Sequence, residues 1–291
     1  MADLLRYDPH ARYEVRSRDV EYRHDGARSW LAHVWEPVGA GPFPALIEVH
    51  GGAWNNFDRL RDPMIIEPLV ASGLVVAAVD FHLSQEAPYP AAQADINYAT
   101  RWLKAHAREF NASPEHVGGM GISSGGHQVM LSAMRPRDPR YTVIPLTETP
   151  DVDASLAYVI MGWVPIDPWN RYTVAREKGD QRLIDATLSY FRDEAGMQEG
   201  NPQLMLERGE AVETPPALLV QGSADEGINP WVAERFVGTY ARAGGLIELG
   251  KFPGEPHAFM RTPGLNTTRA LAMMQSFIAR RLEEATAQRV D

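Results

Sequence analysis

A serine flanked by glycines at two-residue spacing, Gly121-Ile122-Ser123-Ser124-Gly125, is the stretch best able to do chemistry. A hydroxyl becomes a nucleophile when the chain reverses sharply from strand to helix beneath it and exposes the oxygen, which requires small residues two before and two after. Gly121 and Gly125 meet that need, whereas a frame centred on Ser124 would put branched Ile122 at the crowded position. Ser123 is therefore the candidate nucleophile. It needs a base within hydrogen-bond reach, and the base needs an orienting acid. Of nine histidines, His257 stands in a loop just past an expected strand and reads as the base. Asp225 is the first carboxylate after the preceding expected strand and reads as the acid, with Glu226 as its rival one residue on. His127, one turn beyond the serine, reads as a packed histidine, and His50 as a brace for the glycines that follow it.

Attack on a carbonyl builds negative charge on its oxygen, so pre-aimed donors are the next requirement. Backbone N–H groups of Gly52 and Ala53, after an apolar run, and of Ser124, at the head of the expected helix, are the predicted oxyanion hole. Trp54 reads either as a pocket wall or as a core aromatic. Trp163, Trp169, Trp231 and Phe259 are candidates to line a largely apolar substrate pocket, and ordinary core positions are the alternative for them.

The elements that must position these groups alternate. Strand-like residues 13–22 and 30–35 flank the turn residues His24-Asp25-Gly26 and suggest an opening hairpin. Buried strands are expected at 43–50, 74–79, 117–122, 156–164, 217–220 and 247–252, with helices at 64–72, 91–110, 124–134, 230–243 and 268–285. Such alternation predicts an α/β chain with a mostly parallel sheet of about eight strands, helices on both faces and sites gathered at the carboxyl ends of the strands. Residues 165–216 carry short helical fragments without strand signal and read as a helical lid inserted into a single domain, residues 1–291.

Composition narrows the function classes. At 291 residues and 44% hydrophobic, the chain can bury a sizeable core. A formal net charge of −10 without a basic run argues against nucleic-acid partners. No cysteine is present, which removes thiolate metal sites and a cysteine nucleophile. No apolar run approaches bilayer length, so no membrane partner is expected, and the first ten residues lack a signal-peptide pattern, which makes cytoplasmic the default expectation. No metal-binding or phosphate-loop motif appears.

The segments HGGAW at 50–54, DFHLSQEAPYPAAQADI at 80–96, GISSGGH at 121–127, GSADEG at 222–227 and GEPHAF at 254–259 together resemble the α/β-hydrolase superfamily. More narrowly, they resemble its esterase branch of hormone-sensitive-lipase-like and feruloyl-esterase-like enzymes. The order serine, aspartate, histidine is that of the α/β hydrolases. The resemblance implies ester hydrolysis through an acyl-enzyme, with no metal or organic cofactor. Departures are Ala53 in place of a third glycine, Ser124 after the nucleophile and DFHLS at 80–84; the first two keep their backbone donors. The expected activity is thus a serine carboxylesterase acting on small or aromatic esters. An arylformamidase, amidase or peptidase would use the same residues, and a binding module without turnover is the reading from another class. A small-molecule ester is the expected partner, and homo-oligomerisation is left open.

Overall fold

The structure is a computed structural model that describes residues 5–287. The first four residues, which belong to the stretch read for a signal peptide, lie outside the described residues. Eight strands form one sheet in the order β1-β2-β4-β3-β5-β6-β7-β8. β1 (Val15–His24) and β2 (Ser29–Pro37) make the expected hairpin, and β2 runs antiparallel to β4 (Val75–Val79). From β4 onward every neighbouring pair is parallel, through β3 (Phe43–Val49), β5 (Ala112–Ile122), β6 (Val159–Gly162), β7 (Ala217–Gly222) and β8 (Ile247–Phe252).

The parallel strands are apolar on both sides because helices cover both faces. Ala45, Ile47 and Val49 of β3 face α2 (Ala91–His106), α3 (Ser124–Met134) and α8 (Pro230–Arg242), while Leu46 faces α1 (Pro63–Ala71) and α9 (Leu265–Ala287). Full burial of each such aliphatic side chain contributes about 1.5–3 kcal/mol. Among the described residues, no helix is long and apolar enough to cross a membrane.

Two strands, β5 and β6, differ most in length from the sequence expectation. β5 starts at Ala112 rather than 117, because the polar run Ser113-Pro114-Glu115-His116 hides a strand whose register against β3 shifts between Phe43 and Ala45. β6 is confined to Val159–Gly162, since Trp163 takes a positive φ of 37° that ends extended backbone.

Between β6 and β7 lie four short helices, α4 (Pro168–Lys178), α5 (Gln181–Phe191), α6 (Glu194–Glu199) and α7 (Pro202–Glu207). Side chains that cap backbone N–H groups cut the segment into these pieces. Asp167, Asp180, Asp193 and Asn201 accept from the N–H of Asn170, Leu183, Gly196 and Leu204. The base of the segment is fastened twice: Asn201 Nδ2 donates to Asp167 Oδ1 at 2.9 Å, and Arg235 Nη1 of α8 pairs with Asp167 Oδ2 at 2.9 Å.

Candidate active site

β5 delivers Ser123 at its carboxyl end, in the middle of the parallel sheet. Ser123 has φ 54° and ψ −124°, a strained conformation for a residue with a side chain, and it caps α3. Its N–H donates to Gly162 O of β6 at 2.8 Å, and its carbonyl accepts from Gly126 N at 3.0 Å. The glycines permit this reversal by contact distance. A Cβ on Gly125 would lie 1.9 Å from Val49 O, and one on Gly121 would lie 2.3 Å from Gly125 O.

The loop after β8 brings His257 Nε2 to 3.3 Å from Ser123 Oγ. On the far side of the ring, His257 Nδ1 lies 2.9 Å from Asp225 Oδ2. With Nδ1–H donating to the carboxylate, Nε2 is left as acceptor for the serine hydroxyl. Asp225 follows β7, and its side chain is wholly hidden. Its Oδ1 accepts from the N–H of Gly227 and Ile228, each at 2.8 Å, and Oδ2 also accepts from Gln221 Nε2 at 3.1 Å. Those bonds hold the carboxylate in one orientation. Glu226 is exposed, and its main-chain oxygen accepts from Lys178 Nζ at 3.1 Å. Only Asp225 of the two reaches the imidazole.

The loop after β3 turns through three successive positive φ values, 133° at Gly52, 53° at Ala53 and 64° at Trp54. Gly52 O accepts from Asn55 and Asn56 N–H at 3.2 and 3.1 Å, closing the turn. The N–H groups of Gly52, Ala53 and Ser124 donate to no other group among the described residues. Gly52 and Ala53 line the same cleft as Ser123 and His257, and Ser124 opens α3, where the helix dipole favours negative charge. His50 braces the loop from below: its Nδ1–H donates to Gly51 O at 2.8 Å, and its ring stacks on Phe81 at 4.4 Å. Burial pushes the His50 pKa down.

Trp54 is a core aromatic. It is buried, stacks on Tyr190 with ring centres 5.3 Å apart, and donates from Nε1 to His127 Nδ1 at 3.3 Å. His127 in turn donates from Nε2 to Gly200 O at 2.8 Å, so one imidazole joins α3, the loop after β3 and the end of α6. Burial pushes the His127 pKa down to about 4.

The cleft in front of Ser123 has a volume of about 640 Å³, and its lining differs from the apolar pocket expected. Trp163 and Phe259 are buried behind His257, with ring centres 6.3 Å between Trp163 and the imidazole and 5.6 Å between the two aromatics. Trp169 packs beside Tyr172, and Trp231 stands 42% exposed at the start of α8. None of these five aromatics lines the cleft; the aromatic residue that does is Phe57, beside Leu183 and Ile228. Arg171, Lys178 and Arg182 of the α4–α5 region, with Asp180 and Glu226, make the remainder strongly charged. Their polarity conceals them in the sequence, because charged residues on short helices look like a solvated face. The spacing of Arg171 and Lys178, two turns apart on α4, was the one available signal.

A catalytic-type array at the strand ends of this topology is accompanied by a family match. The BD-FAE family model matches residues 34–238. The chain belongs to the BD-FAE family. Within Mycobacterium tuberculosis it is 31% identical to carboxylesterase NlhH over 137 residues, which is 46% of this chain and 43% of that relative. It is 26% identical to esterase LipI over 251 residues, 82% of this chain and 72% of LipI. The first relatives are therefore matched over less than half of their own length, 31% for the probable carboxylic ester hydrolase LipM. Among solved structures, butyrate-bound Est2 of Thermogutta terrifontis superposes with a TM-score of 0.72 at 20% identity, covering 91% of this chain and 94% of Est2. An inhibited esterase B of Lactobacillus rhamnosis gives 0.79 at 16% identity, with 97% and 93% covered. The fold of this BD-FAE member is the α/β-hydrolase fold.

Proposed function

We propose that this BD-FAE member is a serine carboxylic-ester hydrolase acting on small-molecule esters through an acyl-enzyme. The observation that carries the reading is the continuous hydrogen-bonded chain from Ser123 Oγ through His257 to Asp225, facing a cleft edged by uncommitted backbone N–H groups. The esterase and carboxylesterase names of its relatives support the same class.

In this reading Ser123 Oγ attacks the ester carbonyl while His257 Nε2 takes the hydroxyl proton. Asp225 keeps the ring in the tautomer that can accept it and stabilises the imidazolium that results. The carbonyl oxygen, now negative, receives the N–H groups of Gly52, Ala53 and Ser124, each such donor lowering the barrier by about 3–4 kcal/mol. His257 returns its proton to the departing alcohol. Water, deprotonated by His257, then attacks the acyl-enzyme and restores Ser123. Residues 165–216 act as a cap within a single catalytic domain, and α4 and α5 supply the wall of the cleft opposite the loop after β3.

The test is a turnover panel of p-nitrophenyl esters of increasing acyl length, aryl formamides and aminoacyl anilides, with Ser123→Ala as the blank. Ester turnover abolished by the substitution supports the reading. Preferential cleavage of the formamide or anilide moves the function to the amidase class, and turnover retained by Ser123→Ala would overturn the nucleophile assignment.

A further inference from the structure

Arg171 lies one turn into α4 and lines the cleft that holds Ser123 and His257. It also lines a smaller cavity of about 160 Å³ beside Asp225. Its Nε and Nη1 are buried, yet neither has a hydrogen-bond partner among the described residues. Two other arginines of this region are matched to carboxylates: Arg261 holds Asp62 through two bonds, and Arg235 holds Asp167 and Glu207. No described carboxylate pairs with Arg171. Burial, with Arg182 nearby, lowers its pKa to about 10, so the guanidinium stays charged at neutral pH.

Asp180 and Asp225 lie close enough to favour the charge, yet neither hydrogen-bonds the guanidinium; a largely buried cation left without a direct partner is costly, and the cost is offset when an anion enters beside it. The geometry favours such an entry. The guanidinium carbon sits 5.0 Å from the centre of the Trp54 ring, which is itself fixed by Tyr190 and His127. The guanidinium thus rests against an aromatic platform, and Nη2, the one nitrogen of the three that is not buried, is open to an acceptor entering from the cleft. Lys178 and Arg182 line the same cleft, with no carboxylate partner among the described residues. The carboxylates present are otherwise placed: Asp180 caps α5, Asp225 is committed to His257 and backbone N–H groups, and Glu226 is exposed.

Resting on the ester-hydrolase reading above, we propose that Arg171 binds a carboxylate carried by the substrate. The preferred substrates are then carboxylate-bearing esters, either half-esters of dicarboxylic acids or O-acyl hydroxy acids. Lys178 and Arg182 draw the anion into the cleft, and Arg171 anchors it.

The experiment measures kcat/KM of the wild-type protein by titration at constant pH for monoethyl esters of dicarboxylic acids from succinate to suberate. Each is paired with the ethyl ester in which an isopropyl group replaces the carboxylate; 4-acetoxybutanoate is paired with its methyl ester. At least one charged ester should exceed its neutral partner by about tenfold. The class that does so identifies whether the carboxylate lies on the acyl or the alcohol side. In Arg171→Gln the ratio should fall to within about twofold of unity, and Arg171→Lys should retain part of it. Because the readout is a ratio within one sample, a smaller folded fraction cancels; if Arg171→Gln fails to fold, the wild-type ratio and Arg171→Lys decide. Equal rates in the wild type, or a preference unchanged by Arg171→Gln, would overturn the proposal.

Calorimetric binding of monoethyl adipate and 4-acetoxybutanoate to Ser123→Ala protein separates this proposal from the reading beneath it. Binding lost on adding Arg171→Gln, in a protein whose wild type turns over no ester, would sink the hydrolase reading and keep the carboxylate site. Turnover of neutral esters without charge preference sinks the site alone. Neither binding nor turnover overturns both.

Discussion

The Trp54 N–H donates to the Ser124 hydroxyl at 3.1 Å, fastening the loop after β3 to the first residue of the helix that follows the serine elbow. Two of the three unpaired N–H groups, those of Gly52 and Ala53, precede that fastening and the third belongs to Ser124 itself. Their spacing therefore depends on the Ser124 side chain, which does not line the cleft. Ser124→Ala keeps the backbone donor and removes the tie. Its expected signature is a kcat lower by about tenfold with KM within about twofold, because donor placement matters most to the charged transition state. Steady-state kinetics on one p-nitrophenyl ester checks this, and an unchanged kcat would mean that the loop is held without the bond.

The two adjacent carboxylates after β7 separate cleanly by substitution. Asp225→Asn should lower kcat by about 10³- to 10⁴-fold, since the amide cannot stabilise the imidazolium. Glu226→Gln should cost less than about tenfold, because its carboxylate does not touch His257. A larger loss from Glu226→Gln would reassign the acid.

His127 couples stability to pH. Its pKa is about 4 in the folded protein against an ordinary 6.5, so between those values the unfolded chain binds the extra proton and the native one does not. Stability from this group is complete above pH 6.5 and is lost as pH falls towards 4, by about 3 kcal/mol over the whole window. Buried His50, also pushed down, adds to the same slope. Urea unfolding at pH 7 and at pH 4.5 reads the effect. His127→Gln should unfold more readily at pH 7 and show a shallower fall, and a slope as steep as wild type would place the effect elsewhere.

Trp169 tests how the cap uses its aromatics. It packs on Tyr172 rather than facing the cleft, so Trp169→Ala should lower Tm by several degrees, about 2–4 kcal/mol of packing, with the acyl-length profile unchanged. A displaced profile would bring Trp169 into substrate contact.

The sheet was readable from the sequence because parallel strands announce themselves as short apolar runs with glycine at or beside their ends, as at Val49-His50-Gly51-Gly52 and Gly121-Ile122-Ser123. The start of β5 escaped because its edge residues are polar. The cleft was harder to read for the opposite reason. Tyr190 and Phe191 turn inward onto Trp54 and His127, so aromatic content in the insertion measures its anchoring. The side chains that reach the cleft, such as Arg171 and Arg182, belong to a pattern that periodicity assigns to solvent.

The bond from His127 to Gly200 O and the double fastening of Asp167 pin the roots of the α4–α7 segment, while the residues that reach the cleft lie between those pins. In the proposed reading, much of the charged wall of the cleft and the Ser123–His257–Asp225 chain are carried on different stretches of sequence. Positions 178, 182 and 183 form a natural cassette, open to diversification by an engineer or by drift, whereas Arg171 rests on Trp54 and is tied through it to the loop after β3.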